Sequence, residues 1–426
     1  MDWRQKIHIE PPTGWLNDPN GLCFHDGRYH VYYQCCPDDP DGTGLKCWGH
    51  YVSTDLLGFE YKGTVLVPDI PEDRTGVFSG SAALYDGKIH LFYTGNVEEE
   101  GDYDYVTAGR QGNQIHVVTC DGDNMGPKNV ILRPRDYPDY CSCHVRDPKV
   151  WLEDGKWNMV LGARTLDDRG GVLFFEAEDP DHWRFTRFVT CDDMGYMWEC
   201  PDFFDLGGKT FLALSPQGLK HEEFRYQNVF SSGYFSYDRN SDTVADFEEF
   251  DYGFDFYAPQ TFLDKNGNRV LIGWMGIGDS AYTNPTKALG WQHCLTIPRM
   301  LKTAPDGKIC QLPVVQYSDE VAPGPFAIRL KDKMSSGSRI LAGGALISYA
   351  DGVLSLSFTD GSGYGRGIRR VKCGMPEDLN IICDTSSIEI FINRGRFVMS
   401  SRFYPDKPTS VDCHGCSVDI IGISHS

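Results

Sequence analysis

An all-β fold, a five-bladed β-propeller followed by a C-terminal β-sandwich, is what this sequence predicts, and three observations carry it. Glycine and aromatic residues are plentiful, while apolar residues rarely recur at helical spacing. Five short glycine turns, each ahead of a strand-like run, return at intervals of about 60 residues. Near residue 316 the composition shifts to short alternating runs.

The turns come first. Asp26-Gly27-Arg28 precedes Tyr29 to Tyr33, and Asp86-Gly87-Lys88 precedes Ile89 to Tyr93. Asp154-Gly155-Lys156, Gly207-Gly208-Lys209 and Asn266-Gly267-Asn268 lead into Trp157, Thr210 and Val270 in the same way. Each reads as a β-hairpin with glycine where φ must be positive. One four-stranded blade with generous loops fits each interval, and five blades close a ring. Eight or nine residues before each turn stand Asp18, Ser79, Asp147, Glu199 and Ala258. If the strand that carries them is the innermost of its blade, these positions are equivalent around one axis. Three carboxylates would then meet at the narrow end of a funnel, each raising the pKa of the next. General acid and nucleophile chemistry needs that combination.

The first carboxylate lies in Trp15-Leu16-Asn17-Asp18-Pro19-Asn20-Gly21, a tight bend by its Pro, Asn and Gly. Residues 1–305 hold the five repeats. Within them, Glu98 to Asp104 is an acidic surface loop, and Lys302 to Gly307 is a polar turn that closes the last blade. A Pro-rich segment, Ala322-Pro323-Gly324-Pro325, follows. Residues 316–426 carry the runs Val353 to Phe358, Ile388 to Ile392, Phe397 to Arg402 and Val418 to Ile423, with Asn393-Arg394-Gly395-Arg396 as a hairpin between two of them. About a hundred residues of such strands suit a sandwich, which buries an apolar face of each of two sheets. Its expected role is structural support for the propeller.

A formal charge of −20 argues against nucleic acid or an anionic membrane as partner. Met1-Asp2-Trp3-Arg4-Gln5-Lys6 lacks the apolar core of a signal peptide and no stretch approaches a membrane span, so a cytoplasmic protein is expected. Fifteen cysteines are dilute in 426 residues and odd in number, which favours reduced thiols. Cys141-Ser142-Cys143-His144 and Cys413-His414-Gly415-Cys416 each lack a well-spaced second ligand pair. They read as free thiols in loops, and neither metal nor cofactor is expected.

Trp15 to Gly21, Arg146-Asp147-Pro148 and Glu199-Cys200-Pro201-Asp202 resemble the three signature motifs of glycoside hydrolase family 32, the β-fructofuranosidases. Further family-like pieces are Trp48-Gly49-His50, Phe78-Ser79-Gly80-Ser81, Asp255 to Gln260, Gly273-Trp274-Met275-Gly276, Thr296-Ile297-Pro298-Arg299 and, near the C-terminus, Ser386 to Phe391. The bend Asp55-Leu56-Leu57-Gly58-Phe59 lacks the Trp usual in the family, and the sandwich is short. Both departures bear on substrate length.

The resemblance implies Asp18 as nucleophile, Glu199 as general acid/base and Asp147 as transition-state stabiliser, with Asn17, Gln34, Trp48, Phe78, Ser79, Arg146, Tyr257 and Trp274 around the sugar. Asn17 and Asn20 can hold the oxygens of Asp18, and the apolar neighbours Met197, Trp198 and Cys200 would raise the pKa of Glu199. Indole rings can lie on the apolar face of a sugar while amides read its hydroxyls. Trp48 and Trp274 could equally be core residues. The implied reaction is retaining hydrolysis of terminal β-fructofuranosyl residues from sucrose, sucrose 6-phosphate or short fructo-oligosaccharides. A phosphate would need cations at the rim, for which Arg110, Arg164 and Arg225 are candidates. Two other readings are an inverting arabinan- or xylan-type propeller hydrolase, with carboxyl groups about 6.5–9.5 Å apart rather than about 5–5.5 Å, and a non-catalytic sugar-binding propeller.

Overall fold

Four of the five glycine turns close two-residue hairpins. Asp26-Gly27, Asp86-Gly87, Asp154-Gly155 and Gly207-Gly208 all have both residues at positive φ, from 44° to 78°, between the closing pairs His25/Arg28, Tyr85/Lys88, Glu153/Lys156 and Leu206/Lys209. That is the type I′ geometry, whose twist matches the strands it joins. The fifth is longer: Leu263 pairs with Arg269, and the Asp264 carboxylate accepts backbone N–H bonds from Asn266 and Asn268.

The computed structural model describes residues 2–319, 324–359, 361–406 and 410–424. Blade 1 holds β1 (Gly14–His25), β2 (Arg28–Cys36), β3 (Cys47–Ser53) and β4 (Glu60–Leu66); blade 2 holds β5 (Gly76–Tyr85), β6 (Lys88–Glu98), β7 (Arg110–Thr119) and β8 (Asn129–Leu132). Blade 3 holds β9 (Cys141–Glu153), β10 (Lys156–Thr165), β11 (Gly170–Ala177) and β12 (Arg184–Thr190); blade 4 holds β13 (Met197–Leu206), β14 (Lys209–Gln217), β15 (Gly233–Asp238) and β16 (Thr243–Glu249). Blade 5 begins with β17 (Tyr257–Leu263) and β18 (Arg269–Met275). After β19 (Trp291–Gln292) and β20 (Cys294–Leu295) it is completed by β21 (Arg299–Thr303) and β22 (Ile309–Pro313). The first strand of each blade adjoins that of the next, β1 to β5 to β9 to β13 to β17 and back to β1. These five strands form the axial wall.

The ring is closed by one short segment. β19 pairs parallel with β1, Gly14 facing Trp291, while β20 pairs antiparallel with β18, so residues 291–295 stitch blade 1 to blade 5. Apolar side chains fill the spaces between blades. Trp48 and Tyr32 of blade 1, for example, pack with Leu91, Tyr93 and Val117 of blade 2. Lys302 and Thr303 belong to β21, and the polar turn expected to close the last blade instead joins β21 to β22 inside its sheet.

The second module is two packed sheets. One runs β23 (Tyr317–Ser318), β33 (Val418–Ile423), β24 (Phe326–Leu330), β29 (Leu379–Cys383), β30 (Ser387–Ile392), β31 (Phe397–Arg402). The other runs β28 (Ile368–Lys372), β27 (Val353–Phe358), β26 (Ala345–Ala350), β25 (Arg339–Ala342), β32 (Val411–His414). β26 alternates buried and half-buried residues, as a strand with one covered face must. Every residue of β30 is buried. Ile388, Ile390 and Ile392 enter the sandwich core, while Phe391 and Glu389 face the propeller. Of the Pro-rich segment, Ala322 and Pro323 lie outside the described residues.

Charged groups join the modules. Arg299 donates to Glu389 Oε2 at 3.0 and 2.5 Å and to Asp251 Oδ2 at 3.2 and 3.3 Å, all of them buried. His8 lies between Asp384 (2.8 Å) and Glu389 (3.0 Å). Arg366 grips Asp255 with two bonds of 2.8 and 2.9 Å. Such charges would be very costly if any partner were missing. All fifteen cysteines are free. Cys141, Cys143 and Cys413 stand in strands rather than in the loops expected of them: Cys141 and Cys143 lie at the start of β9, and Cys413 pairs with Ile340 of β25. Among the described residues no three His, Cys, Asp or Glu are grouped to hold a metal, and no helix is long and apolar enough to cross a membrane.

Candidate active site

Each axial strand carries a two-against-one β-bulge at the same height. Asn17-Asp18 oppose Gln34, Phe78-Ser79 oppose Thr94, Asp147-Pro148 oppose Leu161, Cys200-Pro201 oppose Leu214, and Ala258-Pro259 oppose Gly273. Asp147, Cys200 and Ala258, each first in its bulge, have φ of 64°, 46° and 47°. A regular strand would send successive side chains to opposite faces, and a bulge re-aims them. The five positions counted from the turns are therefore not strict equivalents. Asp18 and Ser79 are second in their bulges, Asp147 and Ala258 are first, and Glu199 immediately precedes one.

The bulges nevertheless bring the three carboxylates to one pocket of about 310 Å³. Asn17, Gln34, Phe78, Ser79, Arg146, Tyr257 and Trp274 also line it. Trp48 does not. It is wholly buried beneath the wall, where its indole N–H donates to the Phe78 carbonyl at 2.9 Å. Sequence gave no way to separate a Trp under the wall from one facing the sugar.

Asp18 Oδ2 accepts the Ser79 hydroxyl at 2.6 Å, and the Cys200 thiol lies 3.5 Å away. Asn17 donates to Gln34 at 2.5 Å and accepts the Trp15 indole N–H at 2.9 Å, which fixes the bend around Asp18. Burial raises the pKa of Asp18, the bonds from Ser79 and Asn17 oppose this, and the charge of Glu199 adds to it. Asp147 Oδ2 accepts the Cys200 backbone N–H at 3.0 Å, and the Asp147 N–H donates to Thr94 at 2.9 Å. Burial also raises the pKa of Asp147; Arg146 opposes the rise, and Glu199 and Asp18 reinforce it.

Glu199 differs from its sequence expectation in surroundings. Met197, Trp198 and Cys200 are buried, but the carboxylate itself meets donors. Arg146 reaches Oε1 at 3.1 and 2.7 Å, while Gln217 (2.7 Å) and the Tyr257 hydroxyl (2.5 Å) reach Oε2. Burial and the nearby Glu199 push the Tyr257 phenol well above its usual range, so it remains a donor. Gln217, Phe230, Gly278 and Cys200 were not anticipated. Gln217 had a signal, since reflecting β13 through the Gly207-Gly208 turn places residues 216–218 opposite 197–199; the bulge shifts this by one and pairs Met197 with Gln217. Of the three rim arginines, Arg110 lines the pocket and Arg164 stacks on Tyr196 at 4.7 Å. Arg225 instead binds the Phe247 carbonyl and stacks on Tyr226.

Comparison with known proteins gives a consistent picture. The Glycosyl hydrolases family 32 N-terminal domain matches residues 8–313, and the Glycosyl hydrolases family 32 C terminal matches residues 352–419. A sucrose-6-phosphate hydrolase of Bacillus subtilis (strain 168) is 36% identical over 437 residues, covering 94% of this chain and 89% of the relative. One from Klebsiella pneumoniae is 39% identical, with 94% and 88% covered. A raffinose invertase of Escherichia coli is 35% identical, with 95% and 90% covered. Among solved structures, the Bombyx mori GH32 beta-fructofuranosidase superposes with a TM-score of 0.87 at 30% identity, covering 99% of this chain and 94% of that one. A mutant of it in complex with sucrose matches equally well.

Proposed function

This chain belongs to glycoside hydrolase family 32 and is a β-fructofuranosidase, and from that premise we propose how its pocket works. Asp18 attacks C2 of a terminal β-fructofuranosyl residue while Glu199 protonates the departing oxygen, leaving a fructosyl-Asp18 ester. Glu199 then takes a proton from water, which releases fructose with its configuration retained. Asp147 accepts hydrogen bonds from fructosyl hydroxyls as positive charge develops at C2, and Arg146 orients Glu199. Trp274 lines the pocket and lends its indole ring to the sugar's apolar face.

The observation that supports this reading is that Asp18, Asp147 and Glu199, from three different blades, open onto one small pocket. The substrates are sucrose, bound by the Bombyx mori relative, and sucrose 6-phosphate, for which the Bacillus subtilis and Klebsiella pneumoniae relatives are named. Catalysis belongs to the propeller of residues 1–305, and the sandwich of 316–426 supports it. Fifteen unpaired thiols fit a reducing, cytoplasmic setting. Proton NMR of the first fructose released from sucrose tests the stereochemistry. The β-anomer is expected at first. Initial α-anomer would favour the inverting alternative, and no release of reducing sugar would favour a sugar-binding propeller.

A further inference from the structure

Two loops of the propeller reach the pocket under the grip of the sandwich. Residues 218–232 join β14 to β15 and carry Phe230; residues 276–290 join β18 to β19 and carry Gly278. Phe230 and Gly278 line the pocket side by side. Loops as long as the first, with no strand of their own, are uncommon and usually functional. The first is held by β28, the outermost strand of the second sandwich sheet. The Gln227 amide donates to the Arg370 carbonyl at 2.7 Å and accepts the Arg370 N–H at 3.0 Å, which covers the open edge of that sheet. Beside it, Arg369 donates through Nε and Nη2 to Asn228 Oδ1 at 2.9 and 2.7 Å, and Asn228 donates in turn to the Gly253 carbonyl at 2.9 Å. The second loop is held at Thr283, whose N–H donates to the Tyr364 carbonyl and whose carbonyl accepts from Arg366, both at 3.2 Å.

The first loop in turn braces the surroundings of Glu199. Two residues after Asn228, Phe230 pairs its backbone with that of Gln217 and sets its ring 5.9 Å from that of Tyr257. Gln217 and Tyr257 are the two donors to Glu199 Oε2, while Arg146 serves Oε1. Proton delivery to a departing oxygen tolerates little displacement, because a misplacement of about 1 Å can cost about 10²-fold in rate. We propose that Arg369 is a positioning residue for the acid/base: through Asn228 and Phe230 it fixes the Gln217 and Tyr257 donors, so that the sandwich tunes the chemistry as well as bracing the propeller. This rests on the fructosidase reading of the pocket, with Glu199 as proton donor.

The test compares kcat/KM, which reports the bond-breaking step, for sucrose and for p-nitrophenyl β-fructofuranoside in wild type, Arg369→Met, Asn228→Ala and the double variant. Sucrose needs its leaving oxygen protonated, whereas nitrophenolate departs without a proton. Each single variant should lose about 3- to 30-fold on sucrose and less than about twofold on the aryl fructoside. The double variant should lose no more than the worse single one, as expected for two sides of one contact. Arg369→Lys, whose ammonium can still reach Asn228 Oδ1, should recover most of the loss. Equal losses on both substrates would make the contact merely structural, and losses that multiply in the double variant would separate the two residues. Either result overturns the proposal and leaves the fructosidase reading intact, as does full sucrose activity in both single variants. Variants on opposite sides of the contact keep the test open if one fails to fold. Wild type that cleaves neither substrate would overturn both readings.

Discussion

Ser79 and the Cys200 thiol converge on the same oxygen of Asp18, so the acidity of the proposed nucleophile is set by a few named contacts. Asp18 must be ionised to attack, and burial places its pKa above the ordinary carboxylate value. The Ser79 bond acts in the opposite direction. In Ser79→Ala, therefore, the acid limb of kcat/KM against pH should move to higher pH; an unmoved limb would separate Ser79 from the titrating group. At Glu199, Gln keeps the shape but has no proton to give. Glu199→Gln should lower kcat on sucrose by about 10²- to 10⁴-fold, and much less on an aryl fructoside whose leaving group needs no protonation. Equal losses on both substrates would contradict the acid role.

At the scale of strands, the site depends on close approach between blades. Gly162 of β10 lies against the Trp198 carbonyl of β13, and a Cβ there would come within 2.2 Å of that backbone oxygen. Gly162→Ala must push the strand bearing Glu199 outward. It should cost about 1–3 kcal/mol of stability, read by denaturant titration, and should lower kcat as well. Full activity in a destabilised protein would show that Glu199 tolerates the shift. The glycine turns were legible because type I′ hairpins demand residues tolerant of positive φ, and Asp-Gly or Gly-Gly is a strong local signal. The bulges were not, since Asn17, Phe78, Asp147, Cys200 and Ala258 share no side-chain chemistry and only the pairing reveals their common place. Gln34 and the three carboxylates could be read from the motifs, whereas the burial of Trp48 and the Cys200 contacts depend on packing between strands distant in sequence.

For the whole molecule, the modules are joined by buried charges that no local pattern announced, because their partners are separated by about 90 to 380 residues. His8 is the clearest case. Burial alone would lower its pKa, but Asp384 and Glu389 outweigh burial and raise it to about 9. Its contribution to stability is complete below the unfolded value near 6.5 and is lost as pH rises through about 9. Burial would raise both carboxylates, but His8 holds Asp384 below its usual value and Arg299 together with His8 does the same for Glu389, so their contribution is present above the unfolded carboxylate range and fades on acidification. Thermal unfolding should show Tm falling between about pH 6.5 and 9, and His8→Gln should flatten that fall while lowering Tm at pH 6. The same slope in both proteins would remove His8 from the interface balance.

The ring of blades matters because it brings together carboxylates from the first, third and fourth repeats, and in the proposed mechanism one of them is the nucleophile. The most direct measurement is the turnover of sucrose by purified Asp18→Asn, with its Tm compared to that of wild type. A loss of at least about 10³-fold in kcat with the fold retained is expected. Turnover near the wild-type rate would contradict the assignment of Asp18 and with it the retaining mechanism.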